Sequence, residues 1–484
     1  MRNGFEQQLT IGITPIEDVK FRPKHRDPLV KLLKGLQYIY TNKDLNAKVS
    51  RIVAAKVTGG KKSTGRNGMG LWEIFVMAQV RLGLNTDYDR LLHMANYDDL
   101  MRLVMGVQPN DYTRGKDYEY QNIYDNVNLL DDESLRKIND VIVEAGHGVF
   151  KKKEKPEPLS IKSDSFVVES NVHFPADYNI LWDSCRKCLD CISYIEQHNP
   201  ELTGWRKLKN WGKELKNMML SVGKISAGGG KNKQERLEEA ANDYLTKASA
   251  LSHKIHTCKD NLPFTTKAEF SKLLELEYFL AMLDKHIDLV ERRLIKGEVI
   301  PQEEKMYSIF ETYTHWIKKG KSRPNVELGE KLLVSTDQYG LIVDYDLIGD
   351  NADATQAIHV ADRLLSKYEI NSLSFDKGFW SKENKELLSL YIPEVIMPKR
   401  GKLSSEEKEV EQQQKFKTLR NAHNAVESNI NELEHRGLDR CPDRSYGHFK
   451  RYVSLGVCAY NLQKIGKELI RQEEKSKEQQ ARAA

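Results

Sequence analysis

Residues 161–170 read IKSDSFVVES, residues 371–380 read NSLSFDKGFW, and residues 419–440 read LRNAHNAVESNINELEHRGLDR. The first two are short strand-like runs; the third carries Leu419, Val426, Ile430 and Leu433 at helical spacing. Each holds one carboxylate of interest: Asp164 within the first strand, Asp376 at the end of the second, Glu427 on the helix. Phe166 and Val168 share the face of Asp164 at period two, and a carboxylate on an otherwise buried face is costly unless ionically partnered. Asp376 precedes Lys377 and Gly378 at a strand end, where ligand sites of open α/β sheets gather; its plainer role is a turn-forming Asp beside a Gly. Glu427 lies on a polar stripe with Arg420, His423, Asn431 and Glu434, and taken alone it is an ordinary surface acid. Element types and chain order make a shared site plausible, but spacing alone demonstrates no contact.

Working outward, the 484-residue chain exceeds what one hydrophobic core usually supports, so two or three domains are expected. Lys and Arg total 75 against 70 acids, a net charge of +5 that permits a phosphate-bearing partner without requiring one. The N-terminal MRNGFEQQLT lacks the apolar stretch of a signal peptide, and no run approaches a membrane span. A cytoplasmic protein with no membrane partner is the expectation. Six cysteines in a chain of this length do not suggest a disulfide framework.

Residues 1–110 carry helical periodicity and are expected to form a helical N-terminal domain, with a connecting helical segment at 111–158 that ends in KKKEKPEP. Residues 177–322 form a helical insertion. Its seams include Leu181, Cys185, Cys188, Ile192 and Ile195, with three- and four-residue steps expected of packed helices. Strand character returns in EKLLVSTDQYGLIVDYDLI, a hairpin around a DQYG turn that contains Asp337. DATQAIHVADRLLSKY follows as a helix, with Asp353 and Gln356 read as an N-cap and its N3 partner. Residues 159–176 and 323–470 thus make an α/β core interrupted by the insertion, and 471–484 a charged tail.

Other constellations carry less. TGGKKSTGRNGMG lacks the first Gly of a phosphate-binding loop, and Lys62 stands where Ser or Thr is needed; it is expected to be a basic turn. Cys185, Cys188 and Cys191 have metal-like spacing, but the first two sit on an apolar seam, where cysteine acts as a small hydrophobe. His253, His256 and Cys258 show no fourth ligand.

At the three carboxylates the chain resembles a DDE-type transposase of a bacterial insertion sequence. SDSFVVESNVHFPADYNILWD resembles the first-Asp segment of that family and SFDKGFWSKENKELL the second. AVESNINELEHRGLDRC, with CAYNLQKI downstream, resembles the Glu segment. FETYTHWIKKGKSRPNVELGEKLLVSTDQYGLIVDY is similar to the entry into the middle strands. GRNGMGLWEIFVMAQVRLGL and HMANYDDLMRLVMG resemble the helical DNA-binding region.

The resemblance implies an RNase H-like core with an all-α N-terminal domain and a large all-α insertion. Asp164, Asp376 and Glu427 would be catalytic and would hold two Mg²⁺ or Mn²⁺ ions about 4 Å apart, clamping the attacking and leaving oxygens of a phosphodiester. The implied partners are double-stranded DNA, as element ends and target, and a second copy of the chain on that DNA; the implied setting is a bacterial nucleoid. Lys318, Lys319, Lys321 and Lys377 are candidate phosphate contacts. Related enzymes often place Tyr, Arg and Lys at offsets −7, −4 and +7 from the Glu, positions held here by Arg420, His423 and Glu434. An end-binding role for that cluster is therefore either lost or carried by Arg436 and Arg440 alongside Arg420. Two alternatives stay open: a related nuclease that cuts without joining, and a non-catalytic DNA-binding protein derived from a transposase.

Overall fold

The computed structural model describes the chain apart from residues 1, 8, 10–13, 23–25, 60–67, 108–115, 152–156, 206, 319–324 and 484. The basic turn at 59–66 and the KKKEKP run therefore fall largely outside the described residues. Two compact units are present. One comprises Met1–Asn171 with His315–Ala484, the other Val172–Thr314.

The first unit opens with helices α1 (Pro28–Thr41), α2 (Lys43–Thr58), α3 (Leu71–Gly83), α4 (Tyr88–Tyr97), α5 (Asp99–Met105), α6 (Tyr120–Val127) and α7 (Asp132–Phe150), before strand β1 (Leu159–Glu169). The second unit contains α8 (Asp177–His198), α9 (Leu208–Ala227), α10 (Lys233–Cys258) and α11 (Lys267–Val290). Its core joins Cys185, Cys188, Ile192, Leu245, Leu251 and Leu280, so the cysteines serve as buried packing groups, as their seam positions require.

The first unit resumes with β2 (His315–Lys318), β3 (Val326–Thr336), β4 (Ile342–Leu347), α12 (Asp353–Leu365), β5 (Ile370–Phe375), α13 (Lys382–Leu388), β6 (Glu394–Ile396), α14 (Ser405–Gln412), α15 (Gln414–Leu433) and α16 (Tyr446–Ala483). The insertion expected to run to residue 322 thus gives way to the sheet at His315. The four-residue β2 is too short to show an alternating pattern.

The sheet runs β3, β1, β5, β6 through its centre, with β2 and β4 both paired to β3. β1 is antiparallel to β3 and parallel to β5, which is parallel to β6. The DQYG turn forms as expected: the Asp337 carboxylate accepts from the backbone N–H groups of Tyr339 and Leu341, and Gly340 supplies a φ of 78°. On one sheet face, Ile161, Leu333, Leu373 and Phe375 pack with Ala357, Val360 and Leu364 of α12. The opposite face is crossed by α15, which packs on β1, β5 and β6.

The N-terminal helices belong to this unit rather than standing apart. α1, α3 and α7 pack against α16. Arg81 of α3 and Arg451 of α16 donate to the two oxygens of one carboxylate, Asp443, at 2.6 and 2.9 Å.

Candidate active site

Strand register brings the first two acids to the ends of neighbouring paired rows. In the parallel β1–β5 pair, Ser163 is the partner of Phe375, so Asp164 and Asp376 each follow the last paired row of adjacent strands. Lys162 and Ser374, two residues earlier, are partners on the same face. α15 lies over that face with Glu427 on its exposed side.

Asp164 is half-buried, and its carboxylate accepts from the backbone N–H of Ser165 at 2.7 Å. Desolvation raises its pKa to about 7, opposed by that hydrogen bond and reinforced by the negative charges of Asp376, Asp353 and Glu427. The charges of Asp376 and Glu427 thus both act on Asp164. Asp376 is exposed at the strand end and accepts from the N–H of Gly378 in a tight turn, as its plainer role requires. Its pKa is also raised, chiefly by desolvation and by Asp353, with the nearby Arg400 guanidinium opposing.

Asp353 is not the helix cap that its sequence context suggests. Ala352 is the N-cap residue of α12 and no side chain caps the helix; the Gln356 amide bonds Thr355 instead. Asp353 is already inside the first turn. Its carboxylate accepts from the Ser165 hydroxyl at 3.0 Å and pairs with Lys331 at 3.4 Å. A Cβ placed on Gly378 would lie 2.7 Å from Asp376 Oδ1 and 3.1 Å from Asp353 Oδ2. Gly378 therefore leaves a cradle between two carboxylates that any side chain would fill.

The donor set is all oxygen, the chemistry a hard divalent cation selects. Among the described residues no group of three or more His, Cys, Asp or Glu is spaced closely enough to hold a metal ion. The acids act on one another electrostatically without forming a closed cage.

His423 was also misread. It belongs to the buried face of α15 with Phe416, Val426, Ile430 and Leu433, not to the polar stripe of Glu427. A histidine at a three-four seam position looks polar by type, and only the spacing Phe416, Leu419, His423, Val426, Ile430 betrays it.

The basic candidates scatter. Lys318 and Lys377 are exposed; Lys319 and Lys321 lie outside the described residues. Arg420 is exposed, 3.8 Å from Glu411. Arg436 is half-buried over the Tyr460 ring, and desolvation lowers its pKa, so it is not an open phosphate contact. Arg440 donates to Asn171 at 3.1 Å and lies in the segment that bridges to Glu169.

Compared with known families, residues 301–462 match the family described as Transposase DDE domain. The span contains Asp353, Asp376 and Glu427, whereas Asp164 precedes it. No curated protein and no solved structure matches the chain. No helix among the described residues is long and apolar enough to cross a membrane.

Proposed function

Because residues 301–462 match the family described as Transposase DDE domain, we propose that the chain is the transposase of a bacterial insertion sequence, with an RNase H-like core that cuts and joins DNA. The observation that supports this reading is the placement of Asp164 and Asp376 just after the last paired row of adjacent parallel strands, with α15 and its Glu427 packed across those strands. A mid-strand Asp, a strand-end Asp and a helix Glu match the order Asp, Asp, Glu expected of such a site.

Asp164, Asp376 and Glu427 would hold two divalent cations, Mg²⁺ or Mn²⁺, which supply Lewis acidity and an activated oxygen nucleophile at neutral pH. The protein's part is to orient the acids. Ser165 and Gly378 hold Asp164 and Asp376 through backbone N–H donation. Arg400 offsets part of the negative charge beside Asp376. Lys318, Lys377 and Arg420 offer exposed positive charge to phosphates, and the N-terminal helices form the proposed DNA-end contact region. Pairing of two DNA ends calls for two copies of the chain on DNA.

The test uses the full-length protein with a DNA duplex carrying the element's terminal inverted repeat. Mg²⁺-dependent nicking is expected, followed by joining of the pre-nicked 3′-OH end to target DNA. Asp164→Asn, Asp376→Asn and Glu427→Gln should each abolish both steps while end binding persists. Cleavage without joining would assign a nuclease instead. Specific binding without cleavage would assign a non-catalytic derivative.

A further inference from the structure

Beneath the carboxylates lies a second layer that the reaction as described does not use. Lys162 stands two residues before Asp164 and Ser374 two before Asp376, which places each on the face of its acid. His423 stands one helical turn before Glu427, the spacing at which helix residues are neighbours. Lys162 and Ser374 are register partners, Ser374 Oγ lies 3.0 Å from His423 Nδ1, and the charge on Lys162 acts on the His423 ring. His423 and Ser374 are both buried, with 8% and 4% of their surface exposed.

The hydrogen-bond direction follows from the neighbours. The Ser374 hydroxyl donates to the carbonyl oxygen of Ile161 at 3.5 Å, so its oxygen accepts from His423 Nδ1–H. His423 Nε2 is buried with no partner, which suits an unprotonated lone pair better than an N–H. Desolvation, with Lys162, depresses the His423 pKa to about 4, so the ring stays neutral at physiological pH. The chain His423 to Ser374 to Ile161 ties α15, β5 and β1 together, and these are the elements that carry Glu427, Asp376 and Asp164.

We infer that His423 is a positioning residue: its hydrogen bond to Ser374 fixes the height and rotation of α15 so that Glu427 meets the two strand aspartates. The inference rests on the proposed reading of those three acids as one cation site. The other polar tie from α15 to the sheet, Lys415 to Glu394 of β6, is exposed at the helix start; apolar packing is non-directional, whereas a buried hydrogen bond specifies one register. The imidazole neither touches DNA nor reacts. It acts through Glu427.

His423→Phe keeps a buried ring and deletes the bond; His423→Asn can return a donor near the Nδ1 position. In full-length protein, Mn²⁺ binding by titration calorimetry and DNA cleavage are measured beside the melting temperature and end-DNA affinity. His423→Phe should weaken Mn²⁺ binding and lower kcat by about 10-fold or more, the usual effect of losing a group that orients a metal-holding side chain. Melting temperature and DNA affinity should stay near wild type. His423→Asn should restore most of the loss, and Ser374→Ala combined with His423→Phe should be no worse than either alone. Unchanged Mn²⁺ affinity and cleavage in His423→Phe would overturn the positioning role. So would a loss that follows a collapse in melting temperature and is not rescued by Asn. If Glu427→Gln leaves Mn²⁺ binding untouched, the cation-site reading fails, and the role of His423 with it.

Discussion

Ser165 donates its hydroxyl hydrogen to Asp353 across 3.0 Å while its backbone N–H is held by Asp164, so one residue links two acids of the site. Asp353 belongs to the site's charge balance even though it lies outside the Asp, Asp, Glu set. Asp353→Asn keeps the side-chain size and removes one of the charges that raise the Asp164 pKa. Cleavage by this variant should fall about 10-fold, less than for Asp164→Asn, because a supporting polar partner rather than a proposed ligand is lost. Wild-type cleavage by Asp353→Asn would make it a structural ion-pair partner of Lys331 only.

Gly378 is fixed by what surrounds it rather than by its backbone angles. An added Cβ would lie 2.7 Å from Asp376 Oδ1, closer than non-bonded atoms allow, and 3.1 Å from Asp353 Oδ2. Gly378→Ala must push the Asp376 carboxylate aside. The expected outcome is at least a 10-fold fall in kcat, with end-DNA affinity and melting temperature little changed. Cleavage at the normal rate would show that Asp376 works from another rotamer.

Most of what positions the site is written in local pattern. Period-two runs give β1 and β5, DQYG gives the β3–β4 hairpin, and the Ser381 cap of α13 follows from its type, accepting from the Asn384 N–H. Three features escaped for identifiable reasons. Asp353 looks like a cap because Asp is a favoured cap residue, but α12 begins one residue earlier than that role allows. His423 looks like surface because histidine is polar, although its spacing is that of the buried seam. β2 is a four-residue strand at residues 315–318, below the length at which alternation can be seen. No sequence pattern reports pairing between residues 163 and 375; that register, which brings Asp164 and Asp376 to the ends of neighbouring paired rows, is a tertiary fact.

The raised Asp164 pKa makes a stability prediction with a definite sign. Its folded value is about 7 against the ordinary 3.8, so between those values the folded state holds a proton that the unfolded chain has released. Stability attributable to this group therefore falls as pH rises through that window, and above it a desolvated charge remains among other acids. Asp164→Asn removes the titration. Thermal melts should show the variant more stable than wild type at pH 8, by on the order of 2–4 °C for each kcal/mol relieved, with the gain fading toward pH 4.5. A gain independent of pH, or largest in acid, would contradict the coupling among the four acids.

Gly35 of α1 and Gly466 of α16 let two helices touch backbone to backbone. A Cβ on Gly35 would lie 2.2 Å from the Leu462 carbonyl oxygen, and one on Gly466 would fall 1.8 Å from that of Lys31. No side-chain adjustment relieves a clash with main chain, so α1 would have to move off α16. The N-terminal helices should therefore depend on the C-terminal helix for folding, and a fragment of about the first 110 residues would expose the apolar face that α16 covers. Gly466→Val should cost about 1–3 kcal/mol or more, seen as a lower denaturation midpoint in the full chain. If the N-terminal helices form the DNA-end contact, the same variant should weaken salt-sensitive end binding well before it alters the carboxylate site. Normal end binding by Gly466→Val, in protein whose N-terminal helices have become protease-sensitive, would move the DNA contact elsewhere in the chain.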